Sequence, residues 1–486
     1  MSDLARTAVR GTLVVAAGNL AVRAAGFATT LYLMGRIGAR DFGVFDYAAA
    51  LLAIAGSLGD CAFTLGAVHR QERVSETFSA CLVLRLAMVS GVLVLVAGAS
   101  MAFQGPLSAR TDLRVLGILA AAMVADAASD VLAARLSKAL RFGRLVAMDV
   151  TTATVAAGVA ITMAACGLGV WALVGNRVAA TVVRITCVWV ASVERTPLRL
   201  TREDALWLFR YGLPLWIGGL ATTWLLKSDG LVVGSLLDSA TLGQYGRAYA
   251  LALVPLGLVT AVLTRVSFPL YARLQGERAM LSEAFRIASG TAFRLVAPMV
   301  AGMAVVMPDF VAVMHWTQWQ PMVSIFRWLL LYALVRPLMD DAGSLLAAVG
   351  QPRAAGQTLV AQAVAMLFLC PLLTWRFRAE GAAASVGLVF AGGLAFWYIV
   401  YLPRFVDVAY GRMLLRPLLS VAVAAGAALG LGVWANLPAG LWGMLAKLFA
   451  ITVVYGAAML ALDGSQILAD LRALRRHVLG DRSRDV

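Results

Sequence analysis

The chain has 486 residues, 61% of them hydrophobic and only 14% charged, with a net charge of +15. A soluble chain is about 25% charged, so this composition excludes a sizeable aqueous domain and implies an all-α polytopic membrane protein. The basic excess reads as loops facing an anionic leaflet, not as nucleic-acid binding.

About fourteen apolar stretches are long enough to cross a bilayer, at some 20 residues each. They cover residues 12–34, 44–68, 78–103, 112–136, 146–166, 168–191, 209–236, 243–270, 283–307, 321–349, 355–375, 381–402, 414–434 and 440–462. With a cytoplasmic N-terminus, the even-numbered loops and both tails hold roughly 23 Arg and Lys, against about 6 opposite, which places both termini inside. The clearest inner segments are Arg135 to Arg144 and Arg195 to Arg210. The first stretch follows Arg6 and Arg10 and is itself a full span, so it does not read as a cleavable signal.

In the first span, Asn19, Arg23, Gly26 and Thr30 share one helix face. In the second, Asp46, Ala50, Ala53, Ser57, Asp60 and Thr64 do the same. Asp126 and Asp130 stand one turn apart in the fourth span and can pair with Arg177 and Arg184 of the sixth, or titrate. Thr201-Arg-Glu-Asp204 predicts a helix cap ahead of Trp207 and Phe209 in an amphipathic connector. The seventh span repeats the small and polar stripe with Gly219, Thr223, Lys227, Gly230 and Gly234. Facing stripes predict a hydrated cleft between two halves; the bland reading is small-residue packing around pairs such as Lys227 with Asp229 or Asp46. Arg294 has no acid within one turn, whereas Arg336 has Asp340 at i+4 and Tyr332 at i−4. His315 to Gln320 is a polar-aromatic loop whose Trp316 and Trp319 read as interfacial anchors. The tail beyond Gln466 predicts a basic amphipathic helix on the inner membrane surface.

Cations inside spans are the strongest functional signal, since each costs roughly 2.5–3.5 kcal/mol on insertion scales. Arg23, Arg85, Arg177, Arg184, Lys227, Arg247, Arg265, Arg286, Arg294, Arg327, Arg336 and Lys447 outnumber the acids at comparable depth. The surplus predicts a cavity for an anion. Cys61, Cys81, Cys166, Cys187 and Cys370 are apolar-span residues without C-x-x-C spacing, and the three histidines are scattered. No metal or cofactor is expected.

Segments near residues 42 and 242 recur in register: Phe42-Gly43-Val44-Phe45 against Leu242-Gly243-Gln244-Tyr245, then Ala48, Ala50 and Leu51 against Ala248, Ala250 and Leu251. The recurrence predicts two parallel six-helix repeats around a central cleft. The expected divisions are an N-terminal half (1–192), a cytoplasmic linker (193–208), a second half (209–403), two additional spans (404–463) and a basic tail (464–486).

Gly38-Ala-Arg-Asp-Phe-Gly43-Val-Phe45, Leu58-Gly59-Asp60, Tyr211-Gly-Leu-Pro214, Asp229 to Gly234, Leu242-Gly-Gln-Tyr245, Trp319 and Gly350-Gln-Pro-Arg353 resemble the landmarks of the Wzx-type polysaccharide exporters. That family belongs to the superfamily of multidrug extruders and the lipid II flippase. Ala39-Arg40 departs from the family's usual loop. The resemblance implies a flippase, not an enzyme, that moves an undecaprenyl-pyrophosphate-linked oligosaccharide to the periplasmic leaflet of the bacterial inner membrane. A polysaccharide polymerase and a chain-length regulator are implied partners, alongside membrane lipids.

Under this reading Arg23, Lys227, Arg294, Arg336, Arg265 and Asn19 are substrate-binding candidates, with Arg23 and Lys227 at the matching cavity positions. Asp60, Asp126, Asp130 and Asp229 are candidates for ion coupling. Three alternatives stand beside it. A cation-coupled drug exporter would need an acidic cavity. A glycan polymerase or ligase would need a long outer loop. An inert scaffold would leave the central arginines unexplained.

Overall fold

The computed structural model of the protein describes residue 18 and residues 20–102, 112–139, 141–191, 199–434 and 440–479. Among the described residues there are helices and no strands. The helices are α1 (Leu20–Met34), α2 (Ala39–Asp60), α3 (Phe63–His69), α4 (Val74–Ala102) and α5 (Leu113–Lys138). Then come α6 (Phe142–Ala165), α7 (Val170–Ala191), α8 (Arg202–Leu236), α9 (Ser239–Ala252) and α10 (Val254–Leu274). The series ends with α11 (Arg278–Val313), α12 (Met322–Ala348), α13 (Pro352–Phe396), α14 (Arg416–Trp434) and α15 (Leu441–Leu479). The described parts of the expected spans are helical, but 44–68 is divided between α2 and α3, 243–270 between α9 and α10, and 355–375 and 381–402 share α13. Ten described helices are long and apolar enough to cross a membrane.

Boundaries depart from expectation where local chemistry intervenes. Thr201 caps α8 by accepting the Asp204 N–H at 3.2 Å, as its motif implies. The helix then runs unbroken through Pro214 into the seventh span, so the connector is the first turns of a 35-residue helix. Proline lacks only one donor, and flanking turns carry the helix past it. The opposite happens inside α13. Arg378 adopts φ 55° and ψ −140°, which turns the chain between the eleventh and twelfth spans. A side chain at Gly381 would strike the Leu373 carbonyl, so this turn needs glycine there. Trp316 and Trp319 are buried rather than interfacial, with Trp319 fully enclosed and Trp316 edge-on to Phe310 at 5.7 Å.

By compactness the chain divides into Met1–Gly246 and Arg247–Val486. Sequence recurrence defines the six-helix halves differently, and they remain a proposal. Within the first unit the recurring segments meet each other. A Cβ on Gly43 would fall on the Ser239 carbonyl oxygen and lie 3.1 Å from the Gly243 nitrogen. A Cβ on Gly243 would fall on the Ala39 carbonyl oxygen and lie 2.9 Å from the Gly43 nitrogen. Ala39 pairs with Ser239 and Gly43 with Gly243 at one constant offset, so the contact is reciprocal. A local two-fold between the starts of α2 and α9 produces this pattern, and backbone can approach backbone only where both positions lack a side chain. Gly234 receives the Tyr47 ring, and Gly246 receives the Asp46 carboxylate.

At the opposite end of α2, a polar clamp joins the chain after α3 to the start of α8. Arg70 reaches Asp204 at 2.9 Å, and Arg73 reaches Glu203 at 2.5 Å and Asp204 at 3.3 Å. Asp204 is fully buried and is itself part of the helix cap. Arg70 also lies over the Trp207 ring at 4.9 Å, and Lys138 donates to the Arg70 carbonyl. Motif reading found the cap but not the arginines that close on it.

Candidate functional site

The first unit contains a cavity of about 530 Å³ built by α2, α4, α5, α7 and α8. The polar stripe on α2 brings Ser57 and Asp60 to its wall. α4 adds Arg85, α5 adds Asp126 and Asp130, α7 adds Arg177, and α8 adds Thr223. Their i, i+4 spacings put each pair on one helix face, which is why separate helices converge on one polar volume.

The charged residues form a connected chain. Asp130 accepts from Arg85 at 3.0 Å and pairs with Arg184 at 2.8 Å. Arg85 also lies 3.3 Å from Asp60 and donates to the Thr64 hydroxyl at 2.5 Å. Arg177 binds Asp126. The pairing of Asp126 and Asp130 with Arg177 and Arg184 follows the sequence expectation. Arg85 is the member that motif reading did not place there, because its acids, Asp60 and Asp130, are about 25 and 45 residues away in sequence. Asp60 is 47% exposed and Arg177 52% exposed, so the network is wet and each pair is worth only about 0–1 kcal/mol. It also has capacity to spare: Arg85 Nε and Asp60 Oδ1 make no hydrogen bond. Such a network can exchange partners with a polar ligand at small cost.

Arg23 on α1 and Lys227 on α8 are both exposed. Lys227 follows Thr223 by one turn, on the stripe that reaches the cavity wall. Asp229 is buried on the same helix and accepts from the Tyr245 hydroxyl at 2.6 Å, so it is held by a neutral donor. Asn19 and the Arg265 side chain lie outside the described residues.

In the second unit the candidates are engaged elsewhere. Arg336 donates to Asp340 at 2.8 Å and to the Tyr332 hydroxyl at 3.1 Å, as the spacing implies. Its guanidinium also lies over the Phe390 ring at 5.3 Å. Arg294 meets Asp463 of α15 at 2.5 Å, and Arg416 of α14 meets the same carboxylate at 2.6 Å. Lys447 of α15 binds Asp309 of α11 at 2.8 Å. Spacing within one turn does not reveal these partners, because each ion pair joins residues of different helices among α11, α14 and α15. The apparent surplus of intramembrane cations is therefore largely matched, through Arg85, Arg177, Arg184, Arg286, Arg294, Arg336 and Lys447.

Comparison with solved structures defines the class. The fold is shared with the lipid II flippase MurJ in its inward closed conformation, at a TM-score of 0.75 and 10% identity, covering 94% of this chain and all of that one. It is also similar to an inward-facing multidrug resistance MATE family transporter, at a TM-score of 0.59 and 15% identity over 79% of this chain and 94% of that one. These likenesses show the fold, and the ten described helices long and apolar enough to cross a membrane mark an integral membrane protein. More particularly, residues 34–324 match the polysaccharide biosynthesis protein family, and the chain belongs to it.

Among curated relatives, the succinoglycan biosynthesis transport protein ExoT of Rhizobium meliloti (strain 1021) is 22% identical over 60% of this chain. The lipopolysaccharide biosynthesis protein WzxC of Escherichia coli (strain K12) is 29% identical over 24% of each chain. The teichuronic acid biosynthesis protein TuaB of Bacillus subtilis (strain 168) is 27% identical over 25% of this chain. The match spans 59% of the length of ExoT and 26% of that of TuaB.

Proposed function

We propose that this protein is a flippase that carries an undecaprenyl-pyrophosphate-linked oligosaccharide from the cytoplasmic to the periplasmic leaflet by alternating access. The bacterial inner membrane is its location, and both termini face the cytoplasm. The observation that carries this reading is the open Arg- and Asp-lined cavity inside a transporter fold of the polysaccharide biosynthesis family. A glycan headgroup needs hydrogen-bonding partners, and a pyrophosphate needs cations that can leave their carboxylates. Guanidinium groups donate bidentate hydrogen bonds to phosphate, and Arg85, Arg177 and Arg184 stand in a network wet enough to exchange. Arg23 and Lys227 supply exposed charge for the lipid-linked phosphates, and Asn19 and Arg265 are further candidates by sequence. Arg336, whose pair with Asp340 is partly exposed, contributes by exchanging its carboxylate for phosphate, whereas Arg294 is held in the dry pair with Asp463. Asp60, Asp126, Asp130 and Asp229 are the groups through which an ion gradient would be coupled to the cycle. A polymerase and a chain-length regulator act on the translocated product.

The test is surface-glycan export in a cell lacking the native gene, at matched protein levels. Arg23→Ala and Lys227→Ala should each abolish export while the protein accumulates and stays folded in detergent. Normal export by both variants would overturn the assignment of the path.

A further inference from the structure

α2 does not run on into α3, although only Cys61 and Ala62 separate them. Both take left-handed backbone, with φ 44° and 51°. Neither is glycine, so each Cβ crowds the carbonyl oxygen that follows it. Arg73, just beyond α3, is left-handed too, with φ 49°. The seven-residue α3 is therefore held between strained residues at both ends. Such strain persists only where surrounding contacts impose it, and it gathers at clamps and switches.

α8 supplies those contacts along one face. Trp216 donates to the Ser57 carbonyl, in the last turn of α2, at 2.8 Å. Gly212 lets the α8 backbone reach the joint itself, since a Cβ there would lie 2.2 Å from the Cys61 carbonyl oxygen. Phe63 meets Phe209 edge-on at 4.9 Å, and Tyr211 stacks on His69 at 4.8 Å. The clamp of Arg70 and Arg73 on Glu203 and Asp204 closes the far end. From the cavity side, Arg85 of α4 grips both flanks of the joint. It lies 3.3 Å from Asp60 before the joint and donates to the Thr64 hydroxyl after it.

We infer that the Cys61–Ala62 joint is a sprung switch within the first unit. In its second state both residues are helical, α2 and α3 are continuous, and α3 is lifted from the start of α8. The left-handed backbone stores the tendency to straighten, and Arg85 and the α8 contacts restrain it. A merely structural bend is served better by glycine, which takes this backbone without strain. The cavity and the clamp are thereby coupled, because drawing Arg85 away from Asp60 and Thr64 removes the restraint on one side of the joint. The switch does not depend on what the cavity carries.

The experiment measures a distance in the purified full-length protein in detergent. Cys61, Cys81, Cys166, Cys187 and Cys370 are replaced by alanine. Spin labels are attached through Gln71→Cys beyond α3 and Leu113→Cys at the start of α5, both exposed positions. The bent state should give one dominant distance. Arg73→Gln combined with Glu203→Gln should populate a second, distinct distance, and so should Arg85→Gln alone. Ala62→Gly added to either should shrink the second population roughly fivefold, because glycine holds left-handed backbone freely and disfavours the straight helix. One unchanged distance in every variant would overturn the switch. So would a featureless broadening, which shows local unfolding, or a second distance indifferent to Ala62→Gly, which shows motion elsewhere. If the cysteine-free protein fails to fold, amide hydrogen exchange of the unlabelled protein carries the test. Residues 63–69 should then exchange faster in Arg85→Gln, and roughly fivefold slower again once Ala62→Gly is added. Exchange that neither substitution alters would equally overturn it.

Discussion

Arginine and aspartate occur inside spans in both compact units, but in different surroundings. In the first unit, Asp60, Asp126 and Asp130 face Arg85, Arg177 and Arg184 around an open cavity, and several of these side chains are one-third to one-half exposed. In the second, Asp463 and Asp309 are dry, with side-chain exposures of 0% and 4%, and each fixes one of the last two membrane helices to α11 or its neighbour. Composition is the same and environment decides the role. A wet pair costs little to open and can serve a ligand, whereas a dry pair costs much to break and serves to join helices.

The sharpest way to break this contrast is to remove a dry acid. Asp463→Ala leaves Arg294 and Arg416 without their shared carboxylate and should cost about 3–5 kcal/mol, seen as a lost folded yield and a lowered unfolding midpoint in detergent. Next comes the reciprocal glycine contact. Gly43→Ala and Gly243→Ala each push a methyl group into backbone and should cost about 1–3 kcal/mol, by similar amounts because the contact is symmetric. A clear inequality in unfolding midpoint between the two would argue against the local two-fold.

A smaller effect is expected at Asp238, which caps α9 by accepting the Thr241 N–H at 2.9 Å and the Thr241 hydroxyl at 2.7 Å. Partial burial opposes its ionised form, but the Thr241 hydrogen bonds outweigh that and hold the carboxyl below its usual value. The depressed value places the stabilisation above the ordinary carboxylate range, and it is lost as pH falls below about 4. Asp238→Ala should cost about 1 kcal/mol at neutral pH and nothing further on acidification, measurable as midpoint against pH. The smallest effect on stability belongs to the wet network. Arg177→Gln should change the unfolding free energy by less than about 1 kcal/mol while it lowers glycan export severely. A stability loss as large as that of Asp463→Ala would erase the distinction between the two regions.

Much of this was legible in the chain. Hydropathy gave the spans, because a bilayer demands a fixed length of apolar helix. The i, i+4 spacings of Asp126 with Asp130 and of Arg336 with Asp340 gave faces and pairs, because a helix makes those neighbours locally. The recurrence of Gly43 and Gly243 was visible, but nothing in one dimension says that recurring glycines touch. Partners far apart in sequence were invisible for the same reason: Arg294 with Asp463, Arg85 with Asp130, and Arg70 and Arg73 with Asp204. The hydroxyls on Asp341 come from two other helices, through Tyr271 and Ser289, and are equally invisible in one dimension. Those distant acids match much of the cation surplus, and the exposed charge of the pairs gathers in the wet cluster of the first unit.

The central claim is that this wet cluster lies on a path for a lipid-linked glycan. The most direct measurement reconstitutes the purified protein in lipid vesicles with an undecaprenyl-pyrophosphate-linked oligosaccharide, and follows glycan reaching the opposite leaflet by its access to an added lectin. Wild-type protein should equilibrate the glycan between leaflets, and Arg177→Gln, folded and equally stable, should leave it where it was loaded. Equal translocation by the two proteins, or none above protein-free vesicles by the wild type, would contradict the account.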